Sequence, residues 1–288
     1  MVRLTLVRRH LVAVVAVVLA LATGIALGAG PLSRQALFPA RVATAPPVAD
    51  HDEGDELAHD LAVAVGPALT RERLTGRSVA VVSTPGADDA IVEELVTGIE
   101  QAGGSTTGRW QVGRSLVAAG ETALVDTLGE QLVEQVGDDV ADPEAPTYER
   151  MGQLLGAAVA TRGERAAVPQ EQATTVRQSI DAASLLSTET ENPRLAPLVL
   201  VVLGDDVEEA TLEGLATGLA ARARRVVVVA AERAGDLAAV ESTGAATTVD
   251  GAGTPTGRLA ALLALAEPTD EAPGSYGASG SDGVLPLG

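Results

Sequence analysis

The chain has 288 residues, 46% of them apolar but only 1% aromatic, so any sizeable core has to be built from Ala, Val and Leu. Its 39 acidic and 20 basic residues leave it at −19, which argues against general nucleic-acid binding through a basic surface. The absence of Cys excludes disulfides, zinc–thiolate sites, iron–sulfur clusters and cysteine nucleophiles, and two Met and three His leave little material for a soft-metal site.

The charge is unevenly placed. Residues 1–49 hold Arg3, Arg8, Arg9, Arg34 and Arg41 and no acid, so they carry +5 and the remainder −24. Leu11 to Gly30 is a run of 20 residues without a charge. A helix crossing the hydrocarbon core needs about 20 apolar residues. Arg8 and Arg9 stand directly before the run, so the positive-inside tendency keeps the N-terminus in the cytoplasm and sends the acidic body outside. A cleaved signal peptide is the competing reading, but its apolar region is normally about 7–15 residues. Ala26-Leu27-Gly28 is a mediocre cleavage site, and Pro31 would spoil cleavage after Gly30. The length favours an uncleaved anchor over residues 1–33.

Residues 34–73 read as a Pro- and Asp-rich linker, with Pro39, Pro46 and Pro47 blocking regular structure and a short helix from Glu56 through Val65. The α/β part is expected over 74–267. Ser78 to Ser83 is a continuous apolar run closed by Thr84-Pro85-Gly86, the sign of a buried strand and a turn. Asp88 and Asp89 open a helix whose inner face is Ile91, Val92, Leu95, Val96 and Ile99, and Gly103-Gly104 end it. Ser105 to Gln111 is a second strand. Ser115 to Val136 is one or two helices, with Leu124, Leu128, Leu132 and Val136 four apart. Residues 137–147 are a loop. Helices follow over Tyr148 to Thr161 and Gln170 to Leu186. Leu198 to Leu203 is a strand, Ala210 to Ala223 a helix with Leu212, Leu215 and Leu219 inward, and Val226 to Ala230 a strand. A short helix (237–241), a short strand (246–249) and a last helix (256–267) complete the pattern. Strands that are apolar on both faces and alternate with helices form a parallel sheet covered on each side. The expected fold class is therefore α/β: an N-terminal transmembrane helix followed by a single doubly wound, mostly parallel, Rossmann-like domain of about five strands. Residues 268–288, rich in Gly, Ser and Pro, are expected to be a mobile tail.

The N-terminal pattern Arg9-His10-Leu11 … Thr23-Gly24-Ile25-Ala26-Leu27-Gly28-Ala29-Gly30-Pro31-Leu32-Ser33 is more specific than hydropathy alone. It resembles the start of the actinobacterial copper transport family MctB, described as mycobacterial outer-membrane copper transport proteins. Further segments match in order: Leu74-Thr75-Gly76-Arg77-Ser78-Val79-Ala80-Val81-Val82-Ser83-Thr84-Pro85 with Asp88 and Asp89, then Gln101-Ala102-Gly103-Gly104, then Gly274-Ser275-Tyr276-Gly277. The resemblance covers nearly the whole chain. It implies a cell-envelope location, in the outer membrane or on it, and a role in copper efflux or homeostasis. It transfers no catalytic or metal-ligand motif residue by residue. One departure is that the coiled-coil-like segment typical of the family between anchor and α/β domain is here a Pro- and Asp-rich linker.

Three sets of residues carry candidate chemistry. His51 and His59, with Asp52 and Asp55, offer the imidazole and carboxylate ligands that suit Cu(II), although a spacing of eight is no standard ligand spacing and a solvated acidic linker is the favoured reading. Cu(I) would want thiolate or thioether, and Met151 falls on an apolar helix face, where core packing accounts for it. The second set lies in the loops at the carboxyl ends of the strands, where open α/β sheets bind ligands. Those ends hold Thr84, Asp88 and Asp89, then Asp205 and Asp206, then Asp250 with Thr254, which suit Mg²⁺ or a polar ligand. The favoured alternative is that Asp88, Asp89 and Asp206 stabilise helix N-termini. Thirdly, a Ser nucleophile needs a His base, and the α/β part contains no His. No enzymatic activity is expected. Trp110 reads as a core or edge residue and Tyr276 as an anchor for the tail.

These readings leave an anchored envelope protein in copper efflux, or an extracytoplasmic α/β scaffold of an envelope complex without metal transport of its own; a small-molecule binder or enzyme at the strand ends comes third. No resident cofactor is expected, and copper enters only as the ion the resemblance implies, transported or bound. The expected partners are the membrane, through one N-terminal span, and a second copy or an envelope complex, with no nucleic acid. A barrel channel needs many alternating strands and aromatic girdles, which this composition lacks.

Overall fold

The strands that read as apolar on both faces lie in the middle of one sheet. A computed structural model describes residues 52–163, 170–188, 190–204, 207–232 and 237–287. The apolar run 11–30 lies outside the described residues, and no helix among the described residues is long and apolar enough to cross a membrane. In chain order the elements are α1 (Asp52–Thr70), β1 (Ser78–Ser83), α2 (Asp89–Gln101), β2 (Ser105–Val112), α3 (Arg114–Val117), a 3₁₀ turn (Ala119–Glu121), α4 (Thr122–Val136), α5 (Thr147–Val159), α6 (Gln170–Ala182), β3 (Leu186–Thr188), β4 (Leu198–Leu203), α7 (Glu209–Arg222), β5 (Arg225–Ala230), α8 (Leu237–Thr243), β6 (Thr247–Val249), α9 (Pro255–Ala266) and β7 (Ser275–Tyr276).

The seven strands are ordered β3-β2-β1-β4-β5-β6-β7. Every pair is parallel except β2–β3, which is antiparallel. The chain leaves β1 toward one edge and resumes at β4 toward the other, so the order switches direction between β1 and β4. Every residue of β4 and β5 is buried, because helices cover both faces there. Alternate residues feed two cores. Val199, Val201, Val226 and Val228 face a larger core with Leu132, Met151, Leu154, Leu155, Leu212, Leu215 and Leu219 from α4, α5 and α7. Leu198, Leu200, Val227 and Val229 face a smaller one with Leu95 and Ile99 of α2 and Leu265 of α9. Met151 is fully buried and Trp110 is 4% exposed, so both are core residues.

Two close helices close the larger core. α5 is buried from Arg150 through Val159, and its small residues let a neighbouring helix come close. Gly152 of α5 and Gly218 of α7 meet backbone to backbone. A Cβ on Gly218 would stand 2.2 Å from the Glu149 carbonyl oxygen and 2.5 Å from the Gln153 nitrogen. Only glycine permits that approach.

Two sequence expectations need correction. Of the residues spaced by four in α4, Leu128, Leu132 and Val136 do pack in the larger core, and Leu124 is 47% exposed; at 3.6 residues per turn a strict spacing of four rotates around the helix, so the first member leaves the core side. The short helix expected from Glu56 through Val65 is longer: α1 has 19 residues, runs past Gly66 and has Pro67 inside it. Ala62 of α1 packs on Leu259 and Leu263 of α9.

The C-terminal stretch, expected to be mobile, is instead held on the sheet. β7 pairs with β6, Thr248 opposite Ser275 and Val249 opposite Tyr276. Carboxylates accept most of its side-chain bonds. Glu241 accepts from the Ser275 hydroxyl at 2.6 Å, Asp282 from the Ser275 backbone N–H at 2.8 Å and Glu267 from the Tyr276 hydroxyl at 3.1 Å. Composition could not reveal a strand of two residues whose pairing depends on side chains elsewhere. The sheet thus gains β3 and β7 over the five strands expected.

Candidate functional site

Ligands of open α/β sheets sit outside the carboxyl ends of the strands, at the switch in strand order. Here the β1–β4 switch is filled by the chain itself. Thr84 ends β1 and is 3% exposed. Its hydroxyl oxygen accepts a bond from the Gly204 N–H at 2.7 Å. Gly204, just after β4, lies so close to the β1–α2 turn that a Cβ there would stand 2.1 Å from the Pro85 carbonyl oxygen. The turn and the strand end pack directly, with no room between them for a ligand group.

Among the described residues the acids of the strand ends do not converge. Asp88 is the N-cap of α2 and accepts from the Ala90 N–H at 2.8 Å, as the helix-end reading requires. Asp89 is exposed in the first turn. Thr254 caps α9 by accepting from the Gly257 N–H at 3.2 Å. Asp250 lies after β6, three strand spacings from β1, or about 14 Å. It is 2% exposed and accepts from both the N–H and the hydroxyl of Ser279. Its role is to hold the C-terminal loop. Asp205 and Asp206 lie outside the described residues.

Of the linker candidates, His51 also lies outside the described residues, Asp52 and Asp55 fall in the first turn of α1, and His59 is exposed on the same helix. Among the described residues no three His, Asp or Glu side chains come together in a metal-binding group.

The structure opens a different site one strand away. A cleft of about 890 Å³ lies over β1, β2 and β3 on the α2 side. Its floor is Val81 and Ser83 of β1, Arg109 and Gln111 of β2 and Ser187 of β3; Asp89 and Glu93 of α2 form one wall. On this side the core residues of α2 and α9 pack on β1, β4, β5 and β6. The same strand is apolar on its other side, where Trp110 and Val112 join the larger core.

Arg109 is the fixed point of the cleft. Its guanidinium donates to the Glu93 carboxylate at 2.8 Å. Its backbone N–H donates to the Thr190 hydroxyl oxygen at 3.1 Å, and its carbonyl accepts from the Thr188 hydroxyl at 2.6 Å. Two threonine side chains therefore satisfy the β2 backbone just beyond the last β2–β3 pair, Trp110 opposite Thr188. Behind the floor, the Arg177 guanidinium lies 5.8 Å from the centre of the Trp110 ring, and burial lowers its pKa. The sequence signal for this site is alternation: Arg109-Trp110-Gln111-Val112 is polar and apolar by turns, unlike the unbroken runs of β4 and β5. That pattern marks a strand with one wet face, and reading Ser105 to Gln111 simply as a strand passes over it.

Residues 5–286 match the family described as copper transport outer membrane protein, MctB, and the chain belongs to that family. Relatives named copper transporter MctB, from Mycobacterium bovis and from two strains of Mycobacterium tuberculosis, are 28% identical over 176 residues, 58% of this chain. The match spans 56% of those relatives' length.

Proposed function

We propose that the chain is a cell-envelope protein acting in copper efflux or homeostasis, held by one membrane span over residues 11–30 with its α/β body outside the cytoplasm. The observation that carries this reading is the family match over residues 5–286. The charge distribution supports the topology: a +5 end with an uncharged run of 20 residues precedes a body at −24. In this reading His51 and His59 are the chain's candidate Cu(II) ligands, with Asp52 and Asp55 beside them.

A second reading, an extracytoplasmic scaffold without metal transport of its own, is favoured by one feature of α1. Leu57, Leu61 and Val65, spaced by four, are 62%, 54% and 37% exposed, an apolar flank of the kind that marks interaction surfaces.

The test is cell-associated copper, measured by elemental mass spectrometry in a strain lacking the gene, in one carrying the full chain and in one carrying a His51/His59→Ala chain. Copper accumulation reversed by the full chain supports efflux, and failure of the His variant assigns the ligands. Unchanged copper in the deletion strain overturns the transport reading and leaves the scaffold.

A further inference from the structure

The cleft beside α2 plays no part in the copper reading. Its lining points to one ligand chemistry. Among the described residues it carries two carboxylates, Asp89 and Glu93, against one guanidinium, Arg109, and that guanidinium is already paired with Glu93 at 2.8 Å. An anion would meet Asp89 and a neutralised Arg109. A cation would find Glu93 engaged and Asp89 alone in open solvent, where a single exposed pair is worth little. An apolar ligand would have to strip water from Gln111, Ser187 and the ion pair without replacing their bonds. What the lining does offer is donors and acceptors interspersed over a short distance: an amide at Gln111, hydroxyls at Ser187 and at Ser83, whose proton goes to the Trp110 carbonyl and whose oxygen can still accept, and an ion pair with both side chains partly exposed to solvent. A group that both donates and accepts at neighbouring atoms suits such a surface, and vicinal hydroxyls are that group.

We infer that this cleft binds a neutral, hydroxyl-rich ligand, a short saccharide, with Gln111 and the Arg109–Glu93 pair as its principal partners. The size agrees, since about 890 Å³ is at the upper end of small-ligand clefts and exceeds a single sugar ring. The partners are also set in advance. Thr190 and Thr188 fix the β2 backbone at Arg109, and its guanidinium is paired with Glu93 at 2.8 Å. The open form of the cleft implies weak affinity, about millimolar for a trisaccharide.

The experiment is saturation-transfer NMR on the full chain in lauryldimethylamine oxide micelles, which carry no sugar headgroup. Three probes are compared at equal concentration: cellotriose (neutral), trigalacturonate (anionic) and the glucosamine trimer (cationic). The expected result is transfer to cellotriose, weaker transfer to both charged probes, and at least tenfold weaker cellotriose binding in Gln111→Leu. Gln111 is exposed, so the variant keeps its fold, which its thermal melt verifies. Ser187→Val is a second variant with the same expected loss. No transfer to cellotriose overturns the inference. Stronger binding of either charged probe overturns its charge argument, and undiminished binding in both variants overturns its location.

Discussion

Replacing Gly218 by Ala tests the backbone contact between α5 and α7. The added Cβ would stand 2.2 Å from the Glu149 carbonyl oxygen, 2.5 Å from the Gln153 nitrogen and 2.6 Å from the Gly152 carbonyl carbon. All three are backbone atoms of α5, so no rotamer change relieves them. Ordinary contact would require the helices to part by about 1 Å, against the close packing of an interior that fills space as organic crystals do. α5 cannot drift outward freely, because Met151, Leu154 and Leu155 on it are already packed in the larger core. Overpacking of this kind costs about 1–3 kcal/mol and occasionally more. Alanine returns about 1 kcal/mol through helix propensity. With the clash at the upper end of its range, the net loss is about 2 kcal/mol. In a domain of this size that lowers the melting temperature by about 4–8 °C. Urea unfolding followed by circular dichroism is expected to show a lower midpoint at unchanged slope. Gly120→Ala is the control. A Cβ there meets nothing within 4 Å, so its effect should stay within about 0.5 kcal/mol. A Gly218→Ala protein that melts like the wild type would refute the backbone contact between these helices.

The C-terminal strand should show its chemistry in titration. The Tyr276 phenol is pushed up to about 12 by burial and by its bond to Glu267. A group raised in the folded state contributes stability below its ordinary value, and that contribution fades as pH rises from about 10 toward 12. Ultraviolet titration of the phenolates should therefore show Tyr276 ionising late, and Glu267→Gln should bring it back toward its ordinary range. Asp250→Ala removes the acceptor of both Ser279 bonds, and hydrogen exchange over residues 275–283 should speed up while the α5–α7 pair keeps its protection; equal loss in both would contradict a local role. Thr84→Val leaves the Gly204 N–H without its acceptor and is expected to cost about 1–3 kcal/mol in chemical unfolding.

The fold class was legible because the strong signals are local. Val79–Val82, Leu198–Leu203 and Val226–Ala230 are unbroken apolar runs, and strands buried on both faces need nothing else to declare themselves. The faces of α2 and α7 were equally plain, since Ile91, Leu95, Ile99, Leu212, Leu215 and Leu219 all point inward. β3 and β7 were not legible, with three and two residues each. Nor was the site. Asp88, Asp89 and Asp250 read alike in sequence, as acids just after strands. Only the structure separates a helix cap, a cleft wall and a buried clasp for Ser279.

What the sequence determined by itself is therefore what near neighbours in the chain decide: which segments are strands or helices, and, through Asp88, where a helix begins. Through the order of its motifs it also indicated the family. Tertiary structure decided the rest, because those outcomes depend on residues far apart in the chain. Glycine at 218 matters through Glu149 and Gln153. The β1–β4 switch is closed by Thr84 bonding Gly204. A polar cleft exists where Arg109 and Gln111 meet no covering helix among the described residues but do meet Glu93, Thr188 and Thr190. Burial, closure and opening are properties of surfaces brought together, and no local pattern encodes which surface arrives.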